Sequence, residues 1–455
     1  MNRTIIVTLA LGIVLATIKA NAQSPDVDVN ALLRRLQELE QKVKVLEHKN
    51  ELDKEVAAEK AKVTPTVSIG SSGLVATSGD TNFSFALRGL LQVDNRTFFR
   101  DGGIQGNDGF ILRRARPIFQ GTVFRDFDFQ FTPEFGGSTV SILDAHINYR
   151  YEPWLQLRAG KFKVPIGIEQ IQSDAATIFN EKSLVTSLMP NRDLGFQLWG
   201  DINGGVVSYS LGVFNGVGDT RNSSNSDFED KREFAARLFT QPFKKSNVEA
   251  LKGLGFGVGG SWSDSSANGN GLPNGNGYVT DGQQQFYAYT NNVLADGEHW
   301  RLSPQGYYFY GPFSLLGEYA ISNQRVTRNV APITSADQKN AAWQVAAGWV
   351  LTGEDATFTG VTPRNAFDPH NGKWGAFQVV GRYAELDIDD DAFPLFANPL
   401  ASATAAQSWS AGLNWYLNKN LTIRASYERT TFDGGGSVVT RQPEQVFFTR
   451  MQLAF

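Results

Sequence analysis

The sequence predicts an all-β protein, a transmembrane antiparallel β-barrel of about 16 strands preceded by an α-helical coiled-coil arm. Three observations lead to this expectation: an alternating last strand, an aromatic- and glycine-rich composition, and a heptad repeat near the start. Of the 455 residues, 12% are aromatic and 45 are glycine, which is typical of many short strands joined by turns. The chain has no cysteine, so disulfides and thiolate metal sites are excluded.

The last strand runs to the final residue, Phe455, and alternates strictly. One side carries Phe447, Thr449, Met451 and Leu453, and the other side is more polar. Period-two alternation places successive side chains on opposite faces. An exposed apolar strand would favour aggregation in water, but it fits a barrel whose outer face meets lipid. The alternative is an ordinary edge strand of a soluble β protein.

Residues 1–22 have the pattern of an export signal. A short positive start is followed by the mostly apolar stretch Thr4–Ile18 and by the small-residue cleavage site Ala20–Ala22. We therefore predict that the mature chain begins after this signal. Loss of Arg3 and Lys19 changes the net charge from −4 to −6, and this balance gives no indication of nucleic-acid binding.

Residues 23–62 are predicted to form the helical arm. Their apolar residues are spaced alternately by three and four, which is the a/d pattern of a coiled coil. These residues are Val29, Leu32, Leu36, Leu39, Val43 and Leu46, and the pattern continues to Asn50. The alternative is a single amphipathic helix that packs on its own domain. Pro65 and the glycine-rich stretch 70–79 end the pattern, so residues 63–80 are predicted to be a flexible linker.

From about residue 81 the period changes to two, so residues 81–455 are predicted to form the barrel. In one example, the phenylalanines of the stretch 127–131 alternate with Asp128 and Gln130. A barrel of about 16 strands leaves a water-filled lumen. The glycine-rich stretch 265–277 and the acidic stretch 387–391 are predicted to be outward-facing loops.

The strand side assigned to the lumen repeatedly carries arginine. These residues are Arg88, Arg114, Arg116, Arg158, Arg237, Arg382, Arg424 and Arg450. Rows of guanidinium groups attract anions and offer paired donors to phosphate oxygens. The alternative is that each arginine pairs with a wall carboxylate such as Asp94, Asp128 or Asp144.

Six segments resemble the phosphate-selective porin O and P family. They are the stretches 111–124, 155–167, 189–200, 365–383 and 412–427 and the final strand. The pattern NAFDP followed by NGKWGA in the stretch 365–383 is the most specific. The resemblance implies a homotrimer in the outer membrane of a Gram-negative bacterium, with the arm in the periplasm. It also implies a ladder of arginines that leads to a constriction for phosphate or pyrophosphate.

The resemblance assigns individual residues to this constriction. The predicted anion-binding residues are Arg88, Arg113, Arg114, Asp144, Lys161, Lys163, Ser173 and Arg192. The predicted pore-lining residues are Arg116, Arg158, Arg382, Arg424 and Arg450. Asp174 follows Ser173, and a carboxylate beside an anion site would weaken binding. A pore for a broader range of anions or for organic phosphates is therefore an alternative.

The sequence thus predicts a passive, anion-selective outer-membrane porin for phosphate or polyphosphate. The first alternative is a general diffusion porin, and the second is an outer-membrane enzyme or adhesin. Four histidines lie far apart in the sequence with no metal-ligand spacing, and no Ser/His/Asp set is evident. The expected partners are small anions, outer-membrane lipid or lipopolysaccharide, and further copies of the chain. No cofactor and no metal are expected.

Overall fold

The computed structural model describes residues 29–99, 106–137, 139–224, 230–268, 271–436 and 441–455. The chain divides into two compact units, Met1–Thr64 and Pro65–Phe455. The predicted export signal, residues 1–22, lies outside the described residues. No helix among the described residues is long and apolar enough to cross a membrane.

The described part of the first unit is one helix, α1 (Val29–Val63). Its apolar heptad side chains are half exposed or more, from 50% for Val43 to 63% for Leu46. Exposed apolar patches of this extent are typical of surfaces that bind another apolar surface. The predicted helix is confirmed, and its pairing with further copies stays a prediction.

The second unit begins with a β-hairpin, β1 (Thr66–Gly70) and β2 (Gly73–Thr77). Sixteen longer strands then form the barrel. They are β3 (Ser84–Phe98), β4 (Gly109–Val123), β5 (Phe127–Glu134), β6 (Ser141–Glu152), β7 (Leu155–Lys163), β8 (Arg192–Ile202), β9 (Val207–Phe214), β10 (Glu233–Thr240), β11 (Leu254–Asn268), β14 (Val293–Tyr310), β15 (Phe313–Arg328), β16 (Thr334–Val350), β19 (Ala376–Asp387), β20 (Ala403–Tyr416), β21 (Leu421–Gly434) and β22 (Glu444–Ala454). Two short pairs lie in the connections: β12 (Gly277–Val279) with β13 (Gln285–Ala288), and β17 (Ala356–Thr357) with β18 (Gly360–Val361).

The barrel is closed and antiparallel throughout. Each barrel strand pairs with its neighbours in chain order, and the last strand, β22, pairs with the first, β3. Closure removes the free edges that an open sheet would expose. The prediction of an antiparallel barrel of about 16 strands is confirmed.

The predicted flexible linker, residues 63–80, was wrong in part, because it contains the β1–β2 hairpin. β2 pairs with the first residues of β3, and β22 pairs with the remainder of the same edge. Phe455, directly after β22, exchanges two backbone hydrogen bonds with Gly89, at 2.9 and 3.0 Å. A Cβ on Gly89 would lie 2.8 Å from the Phe455 ring, so this glycine makes room for the last side chain. The hairpin therefore belongs to the barrel unit.

The two faces of the barrel strands differ in chemistry, as predicted. On β3, Leu91 and Val93 are 42% and 40% exposed, whereas Gln92 and Asp94 are completely buried. Because successive side chains point to opposite faces, the polar residues face the interior and the apolar residues face outward. This arrangement is the reverse of a water-soluble barrel and suits an outer face in lipid.

Two long connections at one end of the barrel fold into its interior. The first, residues 164–191 between β7 and β8, contains the short helix α2 (Ile168–Ile171) and a 3-10 turn, Leu184–Leu188. We call it the inward segment. The second lies between β11 and β14 and contains β12 and β13. The two share one apolar core, which also packs against small wall residues. Its members include Val164, Ile166, Leu184, Tyr278, Phe286, Ala320, Ala342 and Ala384.

Candidate anion-conducting site

Two cavities lie beside the inward segment. The outer cavity has a volume of about 440 Å³ and is lined in part by the long connections. The inner cavity, of about 390 Å³, is lined in part by Leu90, which pairs with Ala454, so it lies nearer the end of the barrel that holds Phe455. Arg116, Asp174 and Arg192 line both cavities. We call the passage that these three residues mark the constriction.

Strand β4 presents two consecutive arginines to the outer cavity because its pairing with β3 contains a bulge. Gln92 pairs with Arg114, whereas the next residue, Val93, pairs with Leu112, so Arg113 is the extra residue. An extra residue interrupts the alternation of faces. Both Arg113 and Arg114 consequently line the outer cavity.

Asp174 on the inward segment is the carboxylate to which the constriction cations converge. It accepts a hydrogen bond from Arg116, and its oxygens lie 3.3 Å from Nε of Arg114 and 3.3 Å from Nζ of Lys182. Burial opposes ionisation of this carboxyl, but the surrounding cations hold its pKa well below the usual range. The carboxylate is therefore charged and fixes the inward segment to β4.

Glu181 holds a second group of arginines. It accepts two hydrogen bonds from Arg113, at 2.6 and 2.8 Å, and lies 3.3 Å from Arg450 and 3.5 Å from Arg96. Burial opposes its ionisation, yet Arg113 lowers its pKa. The arginines of the outer cavity are thus largely neutralised, as the pairing alternative predicted, although these carboxylates belong to the inward segment.

Three carboxylates of the barrel wall also form ion pairs with arginines, as the alternative interpretation of the sequence expected. Asp94 accepts from Arg450 at 2.6 and 2.7 Å, Asp128 lies 2.9 Å from Arg150, and Asp144 accepts from Arg192 at 3.0 Å. Paired groups of this kind supply little net charge to a pore.

Three predicted pore-lining arginines are covered by protein. Arg382 donates to Asp281 at 3.0 Å, Arg424 donates to the carbonyl of Ala175 at 2.9 Å, and Arg450 is 1% exposed. They lie on the lumen face as predicted, but the two inward-folded connections bury them. Each of the three donates to at least one of these connections, and Arg450 also pairs with Asp94 on β3, so they do not line an open channel and the expectation is corrected.

The inner cavity is lined by three cations that are not ion-paired. Among the described residues, Arg158, Lys163 and Arg237 form no ion pair with a carboxylate, and their contacts are with rings and neutral groups. The Arg158 guanidinium lies 4.8 Å above the Trp199 ring and 5.3 Å above the Phe162 ring. Such contacts hold a guanidinium in place and leave its charge uncompensated.

The other two cations are held by neutral groups. Lys163 donates to the carbonyl of Gln172 at 2.7 Å. Arg237 donates to Gln305 at 2.9 Å and lies 4.6 Å above the Phe239 ring. Both side chains line the inner cavity, and neither of these contacts supplies a negative charge.

A sequence model of the family described as phosphate-selective porin O and P matches residues 85–455. The chain belongs to this family. A curated relative, Porin O of Pseudomonas aeruginosa, is 25% identical over 420 residues, which cover 84% of this chain and 91% of that protein.

Solved structures show the same fold. The channel DcaP of Acinetobacter baumannii has a TM-score of 0.53 at 11% identity, covering 82% of this chain and 98% of its own. An anion-selective porin from Comamonas acidovorans has a TM-score of 0.50 at 12% identity, covering 82% and 100%. The present chain is thus an outer-membrane porin of a Gram-negative bacterium, and it is a channel and not an enzyme.

Six of the eight predicted anion-binding residues of this porin line the cavities. Arg113 and Arg114 line the outer cavity, Asp144, Lys163 and Ser173 line the inner cavity, and Arg192 lines both. Arg116 and Arg158, predicted as pore-lining, also lie here. Whether these residues bind anions stays a prediction.

The structure places the two other predicted residues apart from this group. Arg88 is exposed on β3, opposite Ile118, and does not line either cavity. Lys161 lies across from Ala145 and Leu194, and its ammonium donates to the carbonyl of Ser223. Two cavity residues, Glu181 and Lys182, were not predicted, because only the path of the inward segment brings them to the outer cavity.

One His/Ser/Asp group of this porin is structural. His299 Nε2 lies 2.9 Å from Ser322 Oγ, but the Ser322 hydroxyl donates to Asp219, which also accepts from Arg301. These side chains are buried. In a catalytic triad the carboxylate orients the histidine, whereas here the carboxylate accepts a hydrogen bond from the serine hydroxyl. Among the described residues, no group of three or more His, Cys, Asp or Glu could hold a metal ion.

Proposed function

We propose that this porin is an anion-selective channel that carries phosphate or a polyphosphate such as pyrophosphate passively across the outer membrane. The observation that supports the proposal is the charge of the inner cavity. Five described lining residues are cationic: Arg116, Arg158, Lys163, Arg192 and Arg237. Two are carboxylates, Asp144 and Asp174. The excess of positive charge favours anions and opposes cations.

The two cavities have different roles in this proposal. In the outer cavity, five described cations face four carboxylates, so the field there is weak. The cations are Arg113, Arg114, Arg116, Lys182 and Arg192, and the carboxylates are Glu134, Asp174, Glu181 and Asp281. An anion that passes the constriction then meets the stronger field of the inner cavity. The inner cavity is therefore the proposed binding site.

Binding there exchanges water for protein donors. Arg158 and Arg237 offer guanidinium N–H groups, and Lys163 offers ammonium protons, to the oxygens of a phosphate. Asp144 and Asp174 limit the total attraction, so the anion can leave again. Conduction requires such a balance between entry and release.

The proposal includes three copies of the chain, with the arm in the periplasm and the outer face against lipid or lipopolysaccharide. The exposed heptad stripe of α1 supports association of the arms. The apolar outward positions of the barrel strands support contact with lipid.

A general diffusion porin is the second candidate, and the acidic net charge of −6 after loss of the export signal favours it. Planar-bilayer recordings separate the two. We expect the reversal potential in a potassium chloride gradient to show anion selectivity, and inorganic phosphate to reduce the chloride current in a saturable manner. An unselective current that phosphate does not block would contradict the proposal and favour the general porin.

A further inference from the structure

We infer that the inner cavity selects phosphate monoesters that carry a small apolar group over inorganic phosphate. This inference rests on the proposed function, because it assumes that the cations of the inner cavity bind the phosphoryl group. It adds a second recognition element, an apolar surface inside the pore.

The apolar surface is formed by Leu90, Ile118 and Ile171, all of which line the inner cavity. Leu90 and Ile118 occupy lumen positions of β3 and β4, and Ile118 and Ile171 are partly exposed to the cavity. The interior of a porin is normally polar, because water fills it. Apolar side chains in contact with that water cost free energy, which a ligand with an apolar group would remove.

The cation that anchors the phosphoryl group lies beside a second apolar surface. Trp199 and Phe162 line the inner cavity together with Arg158, which stacks on both rings. A phosphate held by this guanidinium would have the indole as a neighbour. Charged donors and ring surface are thus available to one ligand at the same time.

The size and chemistry of the two cavities differ in a way that fits this assignment. The inner cavity, at about 390 Å³, is within the range of sites for small organic molecules, roughly 300–1,000 Å³. The outer cavity is lined mainly by hydroxyl, amide and charged groups, such as Ser183, Ser187 and Asn191. Discrimination by an apolar group would therefore take place after the constriction.

The test compares phenyl phosphate with inorganic phosphate as blockers of the chloride current through the full-length porin. Covering about 60 Å² of apolar surface corresponds to about a tenfold change in binding. We expect the half-blocking concentration of phenyl phosphate to be about tenfold lower than that of inorganic phosphate. In Ile118→Asn this ratio should fall to about twofold, because phenyl phosphate loses its apolar contact, whereas Ile118→Val should keep most of it.

The outcomes separate this inference from the proposed function. Equal potency of the two blockers overturns the inference alone, and block by neither overturns both proposals. A preference for phenyl phosphate that Ile118→Asn leaves intact also overturns the inference, because the apolar surface would lie elsewhere. If Ile118→Asn does not fold, Ile171→Ser on the inward segment tests the same surface without a change in the barrel wall.

Discussion

Asp174 accepts a hydrogen bond from Arg116 at the point where the outer and inner cavities meet. The same carboxylate lies 3.3 Å from Arg114 and from Lys182, so one negative charge faces three positive charges. Two consequences follow. The carboxylate fixes the inward segment to the wall, and it reduces the positive field through which an anion must pass.

Replacement of Asp174 by asparagine should increase anion selectivity. Asp174→Asn keeps the shape of the side chain but leaves Arg114, Arg116 and Lys182 without their shared counter-charge, so the constriction becomes more positive. We expect the reversal potential in a potassium chloride gradient to move towards the chloride equilibrium potential. Asp128→Asn, which removes a partly exposed partner of Arg150, is the matched control and should have little effect. A movement towards the potassium potential in Asp174→Asn would exclude this role.

The effect of Asp174 should persist at mildly acidic pH. Its pKa in the folded protein is well below the usual value, so its stabilising ion pairs are complete above the unfolded pKa of about 3.9. They are lost only as the pH falls through the lower, folded pKa. The difference in reversal potential between the unmodified porin and Asp174→Asn should therefore be constant from pH 8 to pH 5. A difference that disappears near pH 6 would show that the carboxyl is protonated in that range.

The sequence predicted the barrel well because alternation is a local property. Each strand shows which of its faces is apolar, and the alternating end at Phe455 indicated a barrel strand, which the structure shows to pair with β3. The hairpin in residues 63–80 was missed because its glycines indicate flexibility when read alone. The room that Gly73 and Gly89 leave for Phe455 depends on strands far apart in the sequence.

The site could be predicted only in part, for a related reason. The motifs brought Arg113, Arg114 and Lys163 to the cavities, but the partners of these residues depend on the path of the inward segment. The structure pairs Arg113 with Glu181 and leaves Lys163 on a carbonyl oxygen. It is this pairing, and not the number of arginines, that makes the inner cavity the more positive one.

Removal of the Glu181 charge should destabilise the inward segment. Glu181→Gln leaves Arg96, Arg113 and Arg450 close together with one fewer counter-charge, and breaking a buried pair costs about 3–5 kcal/mol. We expect a lower unfolding temperature in detergent, followed by the loss of β-sheet circular dichroism. The double variant Arg113→Gln/Glu181→Gln should recover part of the loss, because it also removes one unpaired cation. Additive losses in the double variant would contradict a direct interaction.

The arm and the hairpin should contribute differently to stability. Deletion of residues 26–62 should leave the barrel folded, because the boundary between the compact units lies after Thr64. Deletion of residues 26–78 also removes β2 and should lower the unfolding temperature, because the first residues of β3 lose their partner. Circular dichroism and heat-dependent gel mobility measure both. Loss of the β signal in the shorter deletion would place the domain boundary elsewhere.

The same two proteins test the oligomer. We expect the full-length chain to resist mild SDS as a species of about three times the monomer mass, and native mass measurement gives the number of copies directly. A stable full-length monomer would contradict the proposed trimer. If the heptad residues pair, the deletion of residues 26–62 should lower the temperature at which the oligomer dissociates, while the barrel of each subunit stays folded.

Neutralisation of Arg158 should weaken phosphate block more than neutralisation of an arginine that is already paired. In Arg158→Gln the inner cavity loses a cation that has no carboxylate partner among the described residues, and with it at least one charge-assisted hydrogen bond worth about 1.5–3 kcal/mol. The half-blocking concentration of inorganic phosphate for the chloride current should rise at least about tenfold.

Arg150→Gln is the matched control, because Arg150 lies outside both cavities and pairs with Asp128. Arg237→Gln should resemble Arg158→Gln, since both guanidinium groups face the inner cavity without a carboxylate. Equal, small effects of all three changes would show that phosphate binds elsewhere, and the outer cavity would then be the next site to test.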